Sequence, residues 1–228
     1  MNITHTAVAI TIKNNDTNAL AINDINGIAE DGTTFWRVKD KAAPHNAVTS
    51  TKKLLESAQS KKYKTTSTKE SVLKYTTDEV NLENGQGAVS VTIPHSNLQT
   101  VKYVYNEESK VYERYARKKE QKDWTTGKTV TTKNIIITFC DNYTLTDSEN
   151  KGRQGLKNIG TFDGYYITNG KAIKITCEKT SRSAQTVYKD LDGNEIKVND
   201  GNTYVQICPI NAKVTIEGAE ETVTEDVD

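Results

Sequence analysis

The sequence predicts an α+β protein that is predominantly antiparallel β, a small mixed N-terminal segment followed by a β-sandwich or barrel-like domain. Three observations carry this expectation. The pairs Asn169-Gly170, Asp192-Gly193 and Asp200-Gly201 each sit between alternating apolar residues, the pattern of two-residue hairpin turns. Short runs of period two recur from Val89 to Ile216 at roughly 8–12-residue spacing. Finally, three prolines and eleven tyrosines among abundant Thr and Lys suit sheets with one polar face.

Taken in order, residues 2–12 alternate weakly and fit either a strand or a helix. Residues 22–38 read as a loop around Asn26-Gly27, a turn at Asp31-Gly32 and a short strand through Phe35 and Trp36. A short helix should start near Thr49–Thr51, capped by Ser50 or Thr51, with Leu54, Leu55 and Ala58 as its apolar stripe. The Lys/Ser/Thr-rich run from Ser60 to Lys74 has little to bury and reads as a mobile, solvated surface section. A boundary is expected at the Asn/Gly-rich stretch Asn81–Gly87, giving an N-terminal part over 1–85, a β-rich domain over 86–217 and an acidic tail over 218–228.

Within the β-rich part, Val89, Val91 and Ile93 share one face, as do Val101, Tyr103 and Tyr105. Residues 111–117 return antiparallel through the Asn106–Ser109 loop. Consecutive Ile135, Ile136 and Ile137 fit a strand covered on both faces. Ile173, Ile175 and Cys177 form an inward row, and Val205 and Ile207 form another. Val187–Leu191 should pair with Glu195–Val198, and Lys213–Ile216 ends the series.

The 228 residues allow one large domain or two modest ones. Thirty basic residues balance thirty acidic ones, so no overall field favours nucleic acid. No apolar run is long enough to span a membrane, and Met1 is followed by no signal-peptide pattern. Cys140, Cys177 and Cys208 are too dispersed for a zinc site and read as small buried residues, with a Cys177–Cys208 bridge left open. No metal and no cofactor is expected. The chain lacks G-x-S-x-G, a P-loop and a dinucleotide fingerprint.

Two stretches resemble the YerB-like family of bacterial lipoproteins. One is "INGIAEDGTTFWRVKDKAAPHNAVTSTKKLL", with Arg37 and Ala43-Pro44-His45-Asn46. The other comprises "VKYVYNEESKVYERY", "TTKNIIIT", "GYYITNGKAIKITCEKTSRSAQTVYKDLDGNEI" and "GNTYVQICP". The resemblance covers residues 20–217 and implies a mixed α/β domain followed by a β-rich one, with no established activity. It also implies an extracytoplasmic protein held to the membrane by lipid on a cysteine following an export signal. No such cysteine stands near Met1, so the chain is expected either to begin downstream of the signal or to be a truncated relative. After Arg114 the family pattern has a Gly-His-Asp type segment, where this chain has "RKKEQKDWTTGK", with Asp123 but no histidine.

Candidate chemistry centres on His45, held between Pro44 and Asn46 in a loop before a helix. It could act as a general base oriented by Asn46, with Arg37 holding an anion. Alternatively Pro44 fixes the turn, Asn46 bonds backbone amides, and His45 donates to a carbonyl. In "TSRSAQT", Ser181 and Arg182 offer hydroxyl and guanidinium to a ligand, or simply satisfy a strand connection. Arg114 and Asn134, within the stretches that carry the resemblance, complete the ligand-binding set. Carboxylate pairs such as Glu107-Glu108 and Glu220-Glu221, and Asp141 near Asp147, read as solvated. The tyrosines stack on a sugar ring or pack across strands with hydroxyls reaching water. No complete catalytic constellation emerges. The reading is a non-enzymatic binding or interaction module of an exported cell-envelope lipoprotein, with an envelope protein or glycan as partner. The alternative is a hydrolase-like enzyme acting on envelope glycan or peptide around His45.

Overall fold

The computed structural model describes residues 24–66, 71–96, 99–146, 148 and 150–218. They form two compact units, 24–66 and 71–218. The expectations for residues 2–12, for positions 67–70 of the Lys-rich run, for Asp147 and for the tail beyond Gly218 lie outside the described residues.

In the first unit the Asn26 side chain accepts from the amides of Ile28 and Ala29 and so shapes the opening turn. A two-stranded ribbon follows, β1 (Trp36–Arg37) against β2 (Ala47–Val48), with Trp36 opposite Val48. Helix α1 (Thr51–Ser60) begins where the capping pattern places it: the Ser50 hydroxyl accepts from the Lys53 amide at 3.3 Å. Its packing face differs from the expected stripe. Ser57 is its buried residue and Leu55 is 45% exposed. The reason is a polar anchor at Glu30. Glu30 accepts from the hydroxyls of Thr34 at 2.5 Å and Ser57 at 2.6 Å, and pairs with Lys61 at 3.3 Å. Phe35 is the large apolar side chain buried in this unit.

The second unit opens with two short strands, β3 (Tyr75–Thr76) and β4 (Gln86–Gly87). The first main sheet holds β5 (Ser90–Ser96), β6 (Gln99–Asn106), β7 (Val111–Ala116), β8 (Lys119–Glu120) and β9 (Thr131–Thr132). The second holds β10 (Asn134–Thr144), β11 (Gln154–Lys157), β12 (Gly160–Thr168), β13 (Lys171–Lys179) and β14 (Val187–Lys189). Strand β15 (Val198–Asn199) pairs with β3, β16 (Thr203–Pro209) with β10, and β17 (Thr215–Glu217) with β5. Residues 71–87 pack with this unit, since β4 pairs with β13 and Leu73, Val80 and Leu82 join its core.

The fold is therefore mostly β, with a single helix among the described residues and sheets that pack as an open sandwich. Strand β10 is its axis, with Asn134 through Thr138 all buried. Ile135 and Ile137 face the layer between the two main sheets, with Val91, Ile93, Val101 and Tyr103. Ile136 faces the opposite side, with Tyr166, Ile175, Cys177 and Val198. The expected double coverage of this strand holds, as does the inward row Ile175 and Cys177, with Ile173 packed beside it. Asn169 and Gly170 both have positive φ, 49° and 71°, as the tight turn between β12 and β13 demands. At Gly164 any Cβ would stand 2.2 Å from the carbonyl oxygen of Ile137, so only glycine lets β12 approach β10 there.

Several expectations are corrected. Asp200-Gly201 makes no hairpin; it passes the chain from β15, parallel to β3, to β16, parallel to β10. Across Asp192-Gly193 the expected pairing forms as far as Ile196, by the Lys189–Glu195 bridge and the bond from the Ile196 amide to the Tyr188 carbonyl, but Val198 pairs with Tyr75 instead. Val205 and Ile207 are 43% and 45% exposed. They share a face with Cys177 and Tyr188, but β16 is an edge strand and nothing described lies beyond it. Cys208 and the partly buried Tyr204 join the inter-sheet core, while Gln206 donates to the buried Tyr103 hydroxyl. The tyrosine hydroxyls do not all reach water: Tyr112 donates to the Ala88 carbonyl and Tyr166 to the Asn134 side chain. All three cysteines are free and buried, and Cys177 and Cys208 belong to cores on opposite faces of the sheet, which closes the bridge left open.

Candidate functional site

The sequence-selected residues fall in separate places. In the first unit the β1–β2 connection brings Arg37, His45 and Asn46 into one loop. Arg37 donates to Asp31 at 3.2 Å and to the side-chain oxygen of Asn46 at 3.3 Å, while Asn46 donates to the Val38 carbonyl at 3.1 Å. Asn46 thus ties the loop. The His45 ring is exposed and makes no hydrogen bond among the described residues; only its amide bonds, to the Ala42 carbonyl. The guanidinium is engaged by Asp31, ahead of β1, and by Asn46 at the end of the connection.

Asn134 is fully buried in the second unit. Its amide nitrogen donates to the Asn199 carbonyl at 2.8 Å, and its oxygen accepts from Tyr166 at 3.1 Å. Asn199 continues the network to Val80 and Thr168. Every group is satisfied, so this polar set fixes how β3, β10, β12 and β15 meet. Ser181 closes its own turn by accepting from the Ala184 amide, and Arg182 beside it is exposed.

Arg114 stands in a different environment. Its guanidinium lies 5.2 Å from the Tyr204 ring centroid and 6.0 Å from that of Tyr103, with Nε donating to the Tyr103 oxygen at 3.4 Å. Gln206 also donates to that oxygen, at 2.7 Å, leaving its own carbonyl to accept from His95 Nε2 at 3.1 Å. Burial pushes the Tyr103 phenol above its usual value, and the adjacent Arg114 opposes that rise. The phenol stays neutral, and the chain of bonds lines one margin of the inter-sheet layer.

Two adjoining cavities, of about 450 and 500 Å³, share Tyr165, Lys174 and Leu191. The first is completed by Phe139, Ile210 and Val214 with Asp163, the second by Leu82, Glu83, Asp190 and Asp192. Together they form a groove with a physical origin in the sheet. Strand β13 is covered along one edge by β4 at Lys171–Ala172 and by β14 at Thr176–Glu178, leaving Ile173–Ile175 between them without a strand. The two-residue turn makes Thr168 and Lys171 a hydrogen-bonded pair, so Lys171, Ile173 and Ile175 direct their peptide groups toward β12. The N–H and C=O of Lys174 consequently point into the groove. Leu191 is 69% exposed at a turn whose geometry Asp190 supplies by accepting from the amides of Asp192 and Asn194. His45 lines neither cavity. The groove escapes sequence reasoning because its walls come from six separate segments; the one local signal is an apolar Leu191 between the aspartates of a tight turn.

Residues 89–205 match the family described as "Protein of unknown function (DUF3048) C-terminal domain", and residues 3–64 match the N-terminal domain of the same family. The chain belongs to this family. It is 25% identical over 198 residues to "Putative lipoprotein YerB" of Bacillus subtilis (strain 168), covering 83% of this chain and 55% of that protein. The chain thus spans about half the length of this relative. The crystal structure of the YerB protein from Bacillus subtilis superposes with a TM-score of 0.68 at 24% identity, over 84% of this chain and 62% of that one. The likeness supports the β-rich architecture described above. Among the described residues no helix is long and apolar enough to cross a membrane.

Proposed function

We propose that this DUF3048 protein is a non-enzymatic binding module of a cell-envelope lipoprotein, and that its groove takes an extended, basic segment of a partner protein. The observation that carries this reading is the gap in the β13 edge. An unpaired strand segment offers main-chain hydrogen bonds to an incoming extended chain, while flanking pockets select its side chains. Here Lys174, whose peptide group no strand pairs on that edge, lines both cavities. Four carboxylates, Asp163, Glu83, Asp190 and Asp192, line them against the single ammonium of Lys174. That balance favours Lys or Arg on the partner. Phe139, Tyr165 and Leu191 supply the apolar contact that such grooves need. The name of the Bacillus relative supports an envelope location.

The test is a photo-crosslinking residue at position 191 of the full-length protein in its native cells. Adducts with a polypeptide, competed by Lys-rich peptides and lost on Asp192→Lys with Glu83→Lys, are expected. Adducts with glycan alone, or protein adducts indifferent to the charge reversal, would overturn the reading.

A further inference from the structure

Strands β8 and β9 follow one another along the same edge of β7, pairing with Tyr115–Ala116 and Tyr112–Glu113 respectively. Gln121 and Val130 still bond to Arg114 of β7, and the residues between them, 122–129, leave the sheet as a small hairpin of their own. Its ladder is explicit: Lys122 bridges Thr129, the Asp123 amide donates to the Lys128 carbonyl, and the Val130 amide donates to that of Gln121. The tip is built rather than loose. Asp123 accepts from both the amide and the hydroxyl of Thr126, at 2.7 and 2.8 Å, and Gly127 takes φ +67°. Trp124 stands at this tip, 52% exposed. The projection thus ends in an indole with half of its surface open to solvent.

The charges around it are lopsided. Residues 117–128 hold five basic side chains, Arg117, Lys118, Lys119, Lys122 and Lys128, against Glu120 and Asp123, in a chain whose totals cancel. Both acids are spent internally. Glu120 takes Lys122 at 3.3 Å and the Thr129 hydroxyl, and Asp123 shapes the tip. Lys118, Lys119 and Lys128 pair with no carboxylate among the described residues. The Arg117-Lys118 turn, with both φ positive, carries two of the cations immediately before the projection.

We infer that this projection is a membrane-surface contact: Trp124 enters the headgroup region of an anionic phospholipid bilayer while the surrounding lysines meet its charge. An indole is amphipathic and settles at that depth, and basic residues within a Debye length of an anionic leaflet add attraction for each charge. A soluble polyphosphate would use the lysines but gives the indole no apolar layer to enter, and the balanced charge of the whole chain supplies no field toward nucleic acid. The inference is independent of what the groove binds, since the projection and the groove share no lining residue.

The test uses the full chain with Trp36→Phe, which leaves Trp124 as the sole tryptophan, excited at a wavelength that spares the tyrosines. With phosphatidylglycerol-containing vesicles its emission should shift to the blue and be quenched by brominated acyl chains; pure phosphatidylcholine should give neither. Lys119→Glu with Lys128→Glu should weaken vesicle binding at least about tenfold, with an unchanged melting curve, and the Gln pair gives a smaller loss if the Glu pair does not fold. Trp124→Ala, followed by flotation, should reduce binding as well. Failure to bind anionic vesicles, binding without lipid quenching, binding that survives Trp124→Ala, or equal engagement of soluble polyphosphate would each overturn the inference. None of these outcomes bears on crosslinking at Leu191.

Discussion

The two units are held by opposite physics. Unit 24–66 gathers around one carboxylate, Glu30, reached by Thr34, Ser57 and Lys61, and buries Phe35 as its large apolar side chain. Unit 71–218 is organised by three consecutive isoleucines that serve two apolar cores from one strand. A polar anchor is strong only while it is charged and paired, whereas buried aliphatic surface is insensitive to protonation. The difference teaches where each unit breaks.

The largest effect should come from Ile136→Ala. This fully buried side chain packs against Tyr166, Ile175 and Val198, so its loss should cost the second unit about 4 kcal/mol in urea unfolding and leave the first unaffected. An equal loss in both units would break the comparison.

The contrast in pH dependence comes next. Hydrogen bonds from Ser57 and Thr34, assisted by Lys61, hold the Glu30 carboxyl below its usual 4.5. Its contribution is whole above 4.5 and fades as the pH falls through the lowered value in the folded state, so the first unit should open first in acid. In the second unit burial pushes the Cys177 and Cys208 thiols up to about 11 and the Tyr188 phenol to about 12. These groups keep their protons longer in the folded state. Their contribution is whole below the ordinary values of 9 and 10 and is lost as the pH rises through 11 and 12. Each unit carries one tryptophan, Trp36 or Trp124, so single-tryptophan variants followed in acid and in alkali read the two separately. The same unit opening first at both extremes would refute the assignment.

Glu30→Gln should cost the first unit about 2 kcal/mol and remove its acid limb. Protection of residues 24–66 in hydrogen exchange measures this. The smallest effect belongs to Lys52→Ala. Its 3.9 Å pair with Glu56 is solvent-exposed, and the change should stay within about 0.5 kcal/mol.

The apolar part of the architecture was the legible part. Alternation in β5, β6 and β13, the Ile135–Ile137 run and the Ser50 cap are short-range signals, and each was realised. What escaped depends on partners distant in sequence. Nothing near Val205 and Ile207 tells them that β16 will lie at an edge, parallel to β10, and leave them part-exposed. Nothing near Ser57 announces that Glu30 will draw it inward in place of Leu55. The candidate residues share this limit. His45 and Arg182 were chosen for their chemistry, yet neither lines the groove, whose main-chain opening at Lys174 leaves no mark in side-chain identity.

The late position of β16 and β17 has a consequence for synthesis. One completes the flank of β10, joining Asn134 to Thr203 across 69 residues, and the other completes the flank of β5. Neither sheet can finish until the last of its strands has left the ribosome. A nascent chain halted before Thr203 would display bare isoleucine edges of the kind that chaperones seize. The segment 203–217 therefore acts as the clasp of both sheets, and such dependence on remote contacts slows the reaction.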